Sequence, residues 1–151
     1  MSIEDRLADL GIDLPPVAKP VAAYVPAIQA VSYTHLRAHL PLVSGSLPMT
    51  GLVGDQISQG DAAGQARVAA LNALAAAADV AGGVNNIRRV VRVVVYVAST
   101  ADFTAQPAVA NGASELFGEI FGDAGRHIRS AIGVASLPLG APVKVELTVQ
   151  V

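Results

Sequence analysis

The sequence predicts an α+β fold in which one mixed β-sheet carries two helices packed on one of its faces. The first observation is the order of the predicted elements: a strand or hairpin, a helix, a strand, a helix and two further strands. The second is the composition, since 52% of the 151 residues are hydrophobic and only 15% are charged. With so few charges, we expect the uncovered sheet face to be apolar and to be buried in a homo-oligomer.

The N-terminal residues predict a short helix followed by a linker. In "SIEDRLADLGI", Ser2 can cap the helix, acidic residues occupy its first turn, and Gly11 ends it. The following "LPP" favours an extended chain, and the apolar stretch from Val17 to Ala30 also has an extended pattern. We therefore divide the chain into an N-terminal helix with linker, residues 1–16, and a single domain, residues 17–151.

The longest helix is predicted in "GDAAGQARVAALNALAAAADVAGG". Asp61 can cap this helix, apolar residues recur at helical spacing, and Gly82 and Gly83 end it. Its face is mostly alanine, so it can lie close to a sheet. Before it, "LPLVSGSLPMTG", from Leu40 to Gly51, predicts a short strand that runs into a turn cluster.

The second half of the chain predicts a central strand, a helix and two final strands. The run "IRRVVRVVVYVAST", from Ile87 to Thr100, is rich in β-branched residues and too apolar for a solvated edge. The next helix begins near Gln106 or Pro107, because proline suits a first turn. In "GRHIRSAIGVASLPLGAPVKVELTV" two strand-like runs flank a Leu-Pro turn, with Arg129 opening the first run and Glu146 inside the second.

The charge and composition exclude several classes of function. The formal net charge is −2 without a basic cluster, and aromatic residues make up only 4%, so nucleic acid is not an expected partner. The absence of cysteine excludes disulfides, thiol nucleophiles and thiolate metal sites. No uninterrupted apolar run of about 18 residues predicts a membrane span. The acidic N-terminus is unlike a secretory signal, so we expect a cytoplasmic protein.

Five segments resemble the reactive intermediate deaminase family (Rid, also called YjgF-like or endoribonuclease L-PSP-like), in particular a longer subgroup of it. They are "VSGSLP", "ALNALAAA", "VVRVVVYVASTADF", "VANGASELFGEIFG" and the final "GRHIRSAIGVASLPLGAPVKVELTV". The resemblance covers roughly Tyr24 to Val151. It implies a chorismate-mutase-like fold of the bacillus type and a homotrimer whose sheets form a central barrel. It also implies clefts between subunits that hydrolyse 2-imino or 2-enamino acids to 2-oxo acids and ammonia, with no metal or organic cofactor.

The resemblance assigns catalysis to Arg129 and Glu146. Arg129 matches the family arginine that binds the substrate carboxylate, and a guanidinium can hold a carboxylate through two parallel hydrogen bonds. The alternative is an arginine at a strand end that reaches water. Glu146 matches the residue that positions or activates the attacking water. The alternative is that Glu146 lies on an ordinary solvated face.

The resemblance assigns substrate binding to Tyr24, Gly45 and Asn111 together with Arg129. Gly45 matches a glycine whose backbone approaches the ligand, although glycine in this position also suits a tight turn or bulge. Tyr24 either lines the cleft or packs with its hydroxyl at the rim. Asn111 either contacts the ligand or caps the second helix.

The sequence departs from the family pattern near the arginine and in the first strand. Ala131 stands where many active deaminases have cysteine. His127 next to Arg126 either transfers protons or, as is more common for such a histidine, is merely half exposed. The segment "SYTHLRAH" adds residues before "VSG" and is either a longer hairpin or a foreign segment. In it, His35 and His39 have the spacing of a helical metal pair, but no acidic third ligand is nearby, so we expect no metal.

Three functions compete on the sequence alone. The first is a trimeric imine or enamine deaminase, supported by Arg129, Glu146 and Gly45 together. The second is a non-catalytic module or metabolic sensor that binds a small 2-oxo acid in the same clefts. The third is a nuclease, which is least favoured because no phosphate track or metal-ion cage is predicted. The fold cannot choose among them.

Overall fold

The computed structural model describes residues 1–17 and 23–151, and within them it confirms the α+β class. The helices are α1 Ile3–Asp9, α2 Gln59–Ala81 and α3 Gln106–Phe121, and the strands are β1 Ala27–Ala30, β2 Tyr33–Leu36, β3 Arg89–Ala98, β4 Ile128–Val134 and β5 Val143–Gln150. The strands form one sheet in the order β1-β2-β5-β3-β4. Strands β3 and β4 run parallel while the other neighbours are antiparallel, so the sheet is mixed as predicted. The predicted extended stretch from Val17 to Ala30 lies partly outside the described residues, at 18–22.

Helices α2 and α3 cover one face of the sheet, and the hydrophobic core lies between them and the strands. On β5 the side chains of Val143, Val145, Leu147 and Val149 are fully buried, whereas the residues between them are half exposed. Most buried residues of α2 are alanines, which permits the close packing that the sequence predicted. The contact between α2 and α3 is so tight that a Cβ atom at Gly112 would overlap backbone atoms of α2.

The opposite face carries no helix in the described part of the chain, and it is less apolar than predicted. Arg92, Lys144 and Glu146 occupy its centre on β3 and β5. Exposed apolar side chains are found toward the edge of the sheet, at Ile128 and Ile132 on β4. The prediction that this face is apolar is therefore wrong, because the alternation that buries the aliphatic residues of β5 places its polar residues on the other side.

The predicted N-terminal helix is confirmed. Ser2 and Asp5 form a capping box, in which the Ser2 side chain accepts a hydrogen bond from the Asp5 amide and the Asp5 carboxylate accepts one from the Ser2 amide. Gly11 follows the helix with a φ of +67°, a conformation that glycine adopts without steric cost. Leu7 of this helix is buried in the main core. None of the helices in the described residues has the length and apolar character needed to cross a membrane.

One predicted helix cap and one predicted strand are wrong. The cap of α2 is Ser58 rather than Asp61: the Ser58 side chain accepts a hydrogen bond from the Asp61 amide, so that the helix begins at Gln59. The predicted strand in Leu40 to Gly51 is replaced by turns and isolated bridges. Prolines at 41 and 48 explain this, since proline cannot donate to a ladder. The predicted central strand and the start of the second helix at Gln106 are confirmed.

The segment "SYTHLRAH" forms the second strand of a hairpin with β1 and pairs with β5. Val31 takes a φ of +56° in the tight turn between the two strands. His35 is exposed and in register with Thr148 on the open face, whereas His39 is buried beside Val145. The helical spacing of His35 and His39 is therefore not realised, because the two histidines lie in extended chain and point to opposite sides of the sheet.

This segment also contains buried polar groups that lack partners. Thr34 Oγ1 and Arg37 Nε have no hydrogen-bond partner among the described residues. The Thr34 side chain is fully buried and in register with Val149, on the core face of the sheet. A buried hydroxyl without a partner costs stability. The segment therefore pairs correctly as a strand but fits the core less well than aliphatic residues would.

Candidate functional site

Arg129 lies on the edge strand β4 and points to the face of the sheet that the helices cover. It is in register with Val93, whose side chain is buried in the core, and neighbours in parallel register project to the same face. Its Nη1 donates to Asn111 Oδ1 at 2.7 Å and to Ser114 Oγ at 3.2 Å. The residue as a whole stays exposed, but its guanidinium is held against α3 and does not simply extend into water.

Asn111 and Ser114 lie one turn apart on α3 and face β4 together. The helix begins at Gln106, so Asn111 lies within it and the helix-cap alternative is wrong. One further turn along, Gly118 has no side chain to fill the space next to β4. The stripe of small and polar residues leaves a gap between helix and strand, and Arg129 enters it.

His127 lies two residues before Arg129 and completes a hydrogen-bond chain with Ser114. The His127 Nε2 and Ser114 Oγ atoms are 2.9 Å apart, and His127 Nδ1 is 2.6 Å from the carbonyl oxygen of Gly125. The imidazole packs edge-on against the Phe117 ring, with centroids 6.0 Å apart and planes at 87°. The backbone carbonyl and the aromatic ring thus fix the imidazole in one orientation.

These residues line a shallow cavity of about 320 Å³. Its lining residues are Ser114, Gly118, Gly125, Arg126, His127 and Arg129. The cavity therefore carries two guanidinium groups and no carboxylate. Within residues 1–17 and 23–151, Nε and Nη2 of Arg129 have no hydrogen-bond partner. This edge of the guanidinium can bind a carboxylate through two parallel hydrogen bonds.

Glu146 lies on the other face of the sheet. It is in register with Val94 on β3, and its Oε2 accepts a hydrogen bond from Arg92 Nη1 at 3.4 Å. Burial raises the pKa of the nearby Tyr96 hydroxyl, and the negative charge of Glu146 adds to that effect. Arg129 and Glu146 therefore point to opposite sides of one sheet and do not meet within a single chain.

Tyr24 and Gly45 also lie away from Arg129. Tyr24 precedes β1, which forms the opposite edge of the sheet from β4, and its exposed ring lies 5.6 Å from the Arg37 guanidinium. Gly45 occupies an exposed turn closed by hydrogen bonds between Val43 and Ser46, with a φ of +83°. The tight-turn interpretation of this glycine thus describes its conformation. Of the predicted binding residues, only Asn111 contacts Arg129.

Ser114 is the residue of this cavity that sequence reasoning missed. A usable signal existed, because Asn111, Ser114 and Gly118 follow helical spacing next to the apolar stripe of this helix. His127, just before β4, and Arg129 on it are two residues apart in extended chain, which places them on one side. Ala131 continues this side as a half-buried residue that packs against the core and brings no polar atom. The described residues contain no group of three His, Cys, Asp or Glu side chains that could hold a metal ion.

Comparison with known proteins identifies the family. The profile described as "YjgF/chorismate mutase-like, putative endoribonuclease" matches residues 4–151. Protein TCP17 of Trypanosoma cruzi is 38% identical over 146 residues, which are 96% of this chain and 91% of that protein.

Two solved structures extend the similarity to the whole fold. The structure of Atu1372, a protein of unknown function from Agrobacterium tumefaciens, is 38% identical and covers 99% of this chain and 92% of its own, with a TM-score of 0.89. A Shewanella oneidensis MR-1 protein, also described as a putative endoribonuclease, is 28% identical over the full length of both chains, with a TM-score of 0.95. The chain therefore belongs to the YjgF/chorismate-mutase-like family, which also includes the Rid proteins, as its sequence motifs predicted.

Proposed function

We propose that the protein hydrolyses reactive 2-imino and 2-enamino acids to 2-oxo acids and ammonia. The observation that carries this proposal is the Arg129 guanidinium, which two side chains of α3 hold at a cationic cavity with one edge free. A carboxylate is the group common to all these substrates, and this edge matches its geometry. Asn111 and Ser114 fix the cation before a ligand arrives, which lowers the entropic cost of binding.

A site that uses both Arg129 and Glu146 needs a second protomer, which agrees with a homo-oligomer such as the homotrimer that the family resemblance implies. Because Arg129 and Glu146 face opposite sides of the sheet, one chain cannot direct both at one ligand. A neighbouring protomer that packs its open face against this cavity would supply Glu146. The exposed Ile128 at the edge of β4 would then be buried in the contact.

Hydrolysis of a protonated imine needs only modest catalytic assistance from the protein. The carbon of a protonated C=N group is electrophilic, so a held water molecule and a general base are sufficient. Arg129 would bind the carboxylate, and the partner's Glu146 would position the water and accept its proton. A positioned general base contributes about 10²–10⁴-fold to such a step.

The proposal is tested by generating 2-iminopropanoate and 2-iminobutanoate in solution and following their hydrolysis with the protein added. We expect Arg129→Ala to lower kcat/KM about 30-fold or more, which corresponds to about 2–4 kcal/mol for a lost charged contact. Arg88→Ala is the matched control, since Arg88 is an exposed arginine outside the cavity. Equal rates for Arg129→Ala and the wild-type protein would overturn the proposal.

A non-catalytic carboxylate-binding module is the second candidate. One observation favours it: within a single chain the cavity lining contains cations and a hydroxyl but no carboxylate base. Saturable binding of pyruvate or 2-oxobutanoate that depends on Arg129, together with no acceleration of imine hydrolysis, would select this function.

A further inference from the structure

Glu146 is the only acidic residue in the five strands of the described chain, and two long side chains of β3 flank it. Its register partner on β3 is Val94, and Arg92 and Tyr96 lie two residues before and after Val94 on the same face. Diagonal neighbours of this kind are about 7–8 Å apart in the backbone, a gap that long side chains can span. The Glu146 carboxylate therefore lies between a guanidinium and a phenol.

The burial of Val94 shows that these side chains lie over the sheet and do not extend away from it. Val94 is on the face that the helices leave open, yet it is only 1% exposed. A short aliphatic side chain is covered this well only where the stems of longer neighbours pack over it. The side chains of Arg92 and Glu146 are themselves 47% and 34% exposed, so each buries more than half of its surface against its neighbours.

Arg92 binds one oxygen of the Glu146 carboxylate and leaves the other available. Its Nη1 donates to Oε2 at 3.4 Å, whereas Oε1 accepts no hydrogen bond from the described residues. A charge-assisted hydrogen bond to one oxygen restricts the rotation of the carboxyl group. A general base has to present one oxygen in a fixed position to the water that it activates. Oε1 is the oxygen that meets this requirement.

The contact becomes more important in the proposed site, where a neighbouring protomer covers this face. Exclusion of water lowers the effective dielectric constant and strengthens the attraction between the two charges. A carboxylate that is covered without a cationic partner is strongly disfavoured. Lys144 is the other cation close to Glu146 along β5, but it forms no ion pair with Glu146 among the described residues. Arg92 is therefore the cation that holds this carboxylate.

We propose that Arg92 is a positioning residue for the base: it holds Oε2 of Glu146 so that Oε1 stays free to hold the attacking water. This inference rests on the proposed function. Arg92 does not touch the substrate; it acts through the Glu146 of its own chain. Removal of Arg92 should therefore slow the hydrolytic step and leave the binding of the substrate carboxylate by Arg129 unchanged.

The test measures kcat and KM for 2-iminopropanoate in Arg92→Ala, Arg92→Lys and Lys144→Ala. We expect Arg92→Ala to lower kcat about 10-fold, because a carboxylate that rotates holds the water less well, while KM changes less than about twofold. Arg92→Lys keeps the charge but loses the planar fork, so it should recover about threefold of the lost kcat. Lys144→Ala is the matched control, since it removes a cation of the same face that does not hold Glu146, and it should keep kcat within about twofold.

A stability measurement separates positioning from a structural role. The pair is partly exposed, so its loss should move the melting temperature by no more than about 2 °C. Arg92→Ala should then melt close to the wild-type protein and to Lys144→Ala at the same protein concentration. A large fall in melting temperature that accompanies the loss of kcat would overturn the positioning role, because the loss would then follow from damage to the sheet or the assembly.

The outcomes also distinguish this role from the proposed function. If the wild-type protein hydrolyses imines and folded Arg92→Ala keeps its kcat, the positioning role is overturned while the proposed function stands. An equal loss of kcat in Lys144→Ala would overturn it as well, since the positive charge of the face, and not the contact with Oε2, would then be responsible. If the wild-type protein does not hydrolyse imines, the proposed function and the role that rests on it are both overturned.

Discussion

His39 should make the protein less stable in mild acid. The residue is 7% exposed, and its Nδ1 donates to the Arg37 carbonyl at 2.8 Å. Burial, followed by the positive charge of Arg37, lowers the pKa of His39 from 6.5 to about 4. The native protein therefore resists a proton that the unfolded chain accepts. The stability that follows is complete above the unfolded pKa and is lost as pH falls toward the folded one.

The size of the loss follows from the two pKa values. Each pKa unit corresponds to about 1.4 kcal/mol. Between about pH 7.5 and about pH 4.5, most of the interval between the unfolded and folded values is crossed, so the free energy of unfolding should drop by about 2–3 kcal/mol on account of this one group. Carboxylates also titrate in this range, so the informative quantity is the difference between variants.

The assay is urea unfolding at a series of pH values and one fixed protein concentration, because oligomers unfold in a concentration-dependent way. His39→Gln should lose this part of the pH dependence, so that its stability relative to the wild-type protein rises by about 2–3 kcal/mol on acidification. His35→Gln is the matched control, since His35 is an exposed histidine of the same segment. Parallel pH profiles for the wild-type protein and His39→Gln would refute the reasoning.

Two further predictions concern packing. Thr34→Val should raise the free energy of unfolding by about 1–2 kcal/mol, because it removes a fully buried hydroxyl without a partner among the described residues. The control, Thr148→Val on the open face, should change this free energy by less than about 0.5 kcal/mol. Equal effects of the two changes in denaturant unfolding would contradict the prediction. Gly112→Ala should destabilise by about 3 kcal/mol or more because the new Cβ would overlap the Ala63 carbonyl. Gly64→Ala is the control, because its new Cβ meets open space on α2, and it should stabilise the protein by about 0.5–1 kcal/mol. Similar melting temperatures for these two variants would contradict the tight contact between α2 and α3.

The sequence alone predicts the elements whose structure depends on local interactions. The capping box at Ser2, the glycine that ends α2 and the β-branched run of β3 each carry their own signal. The strand predicted in Leu40 to Gly51 rests on apolar residues between prolines and does not form. The hairpin alternative for "SYTHLRAH" describes the strand Tyr33–Leu36, which has two alternating buried residues and also pairs with β5, a long-range contact that no local pattern reports.

The site was predictable only in part. Family motifs identified Arg129 and Asn111, which the structure joins by a hydrogen bond. The face to which Arg129 points could not be derived, since Ile128 and Ile132 on the same strand suggest the opposite orientation. The register with β3 determines this orientation, because it places Arg129 beside Val93, whose side chain lies in the core. Such an edge strand, apolar on its open side, is typical of a surface that another subunit covers.

The central claim is that Arg129 of one protomer and Glu146 of another act on the same ligand. The most direct measurement mixes two inactive variants, Arg129→Ala and Glu146→Gln, by refolding them together in equal amounts and assaying imine hydrolysis. Random assembly should form complete sites at about one quarter of the positions and restore about one quarter of the wild-type activity. The control mixes Arg129→Ala with a chain carrying both changes, in which no site can be complete. Activity of the first mixture that stays at the level of this control would contradict the claim.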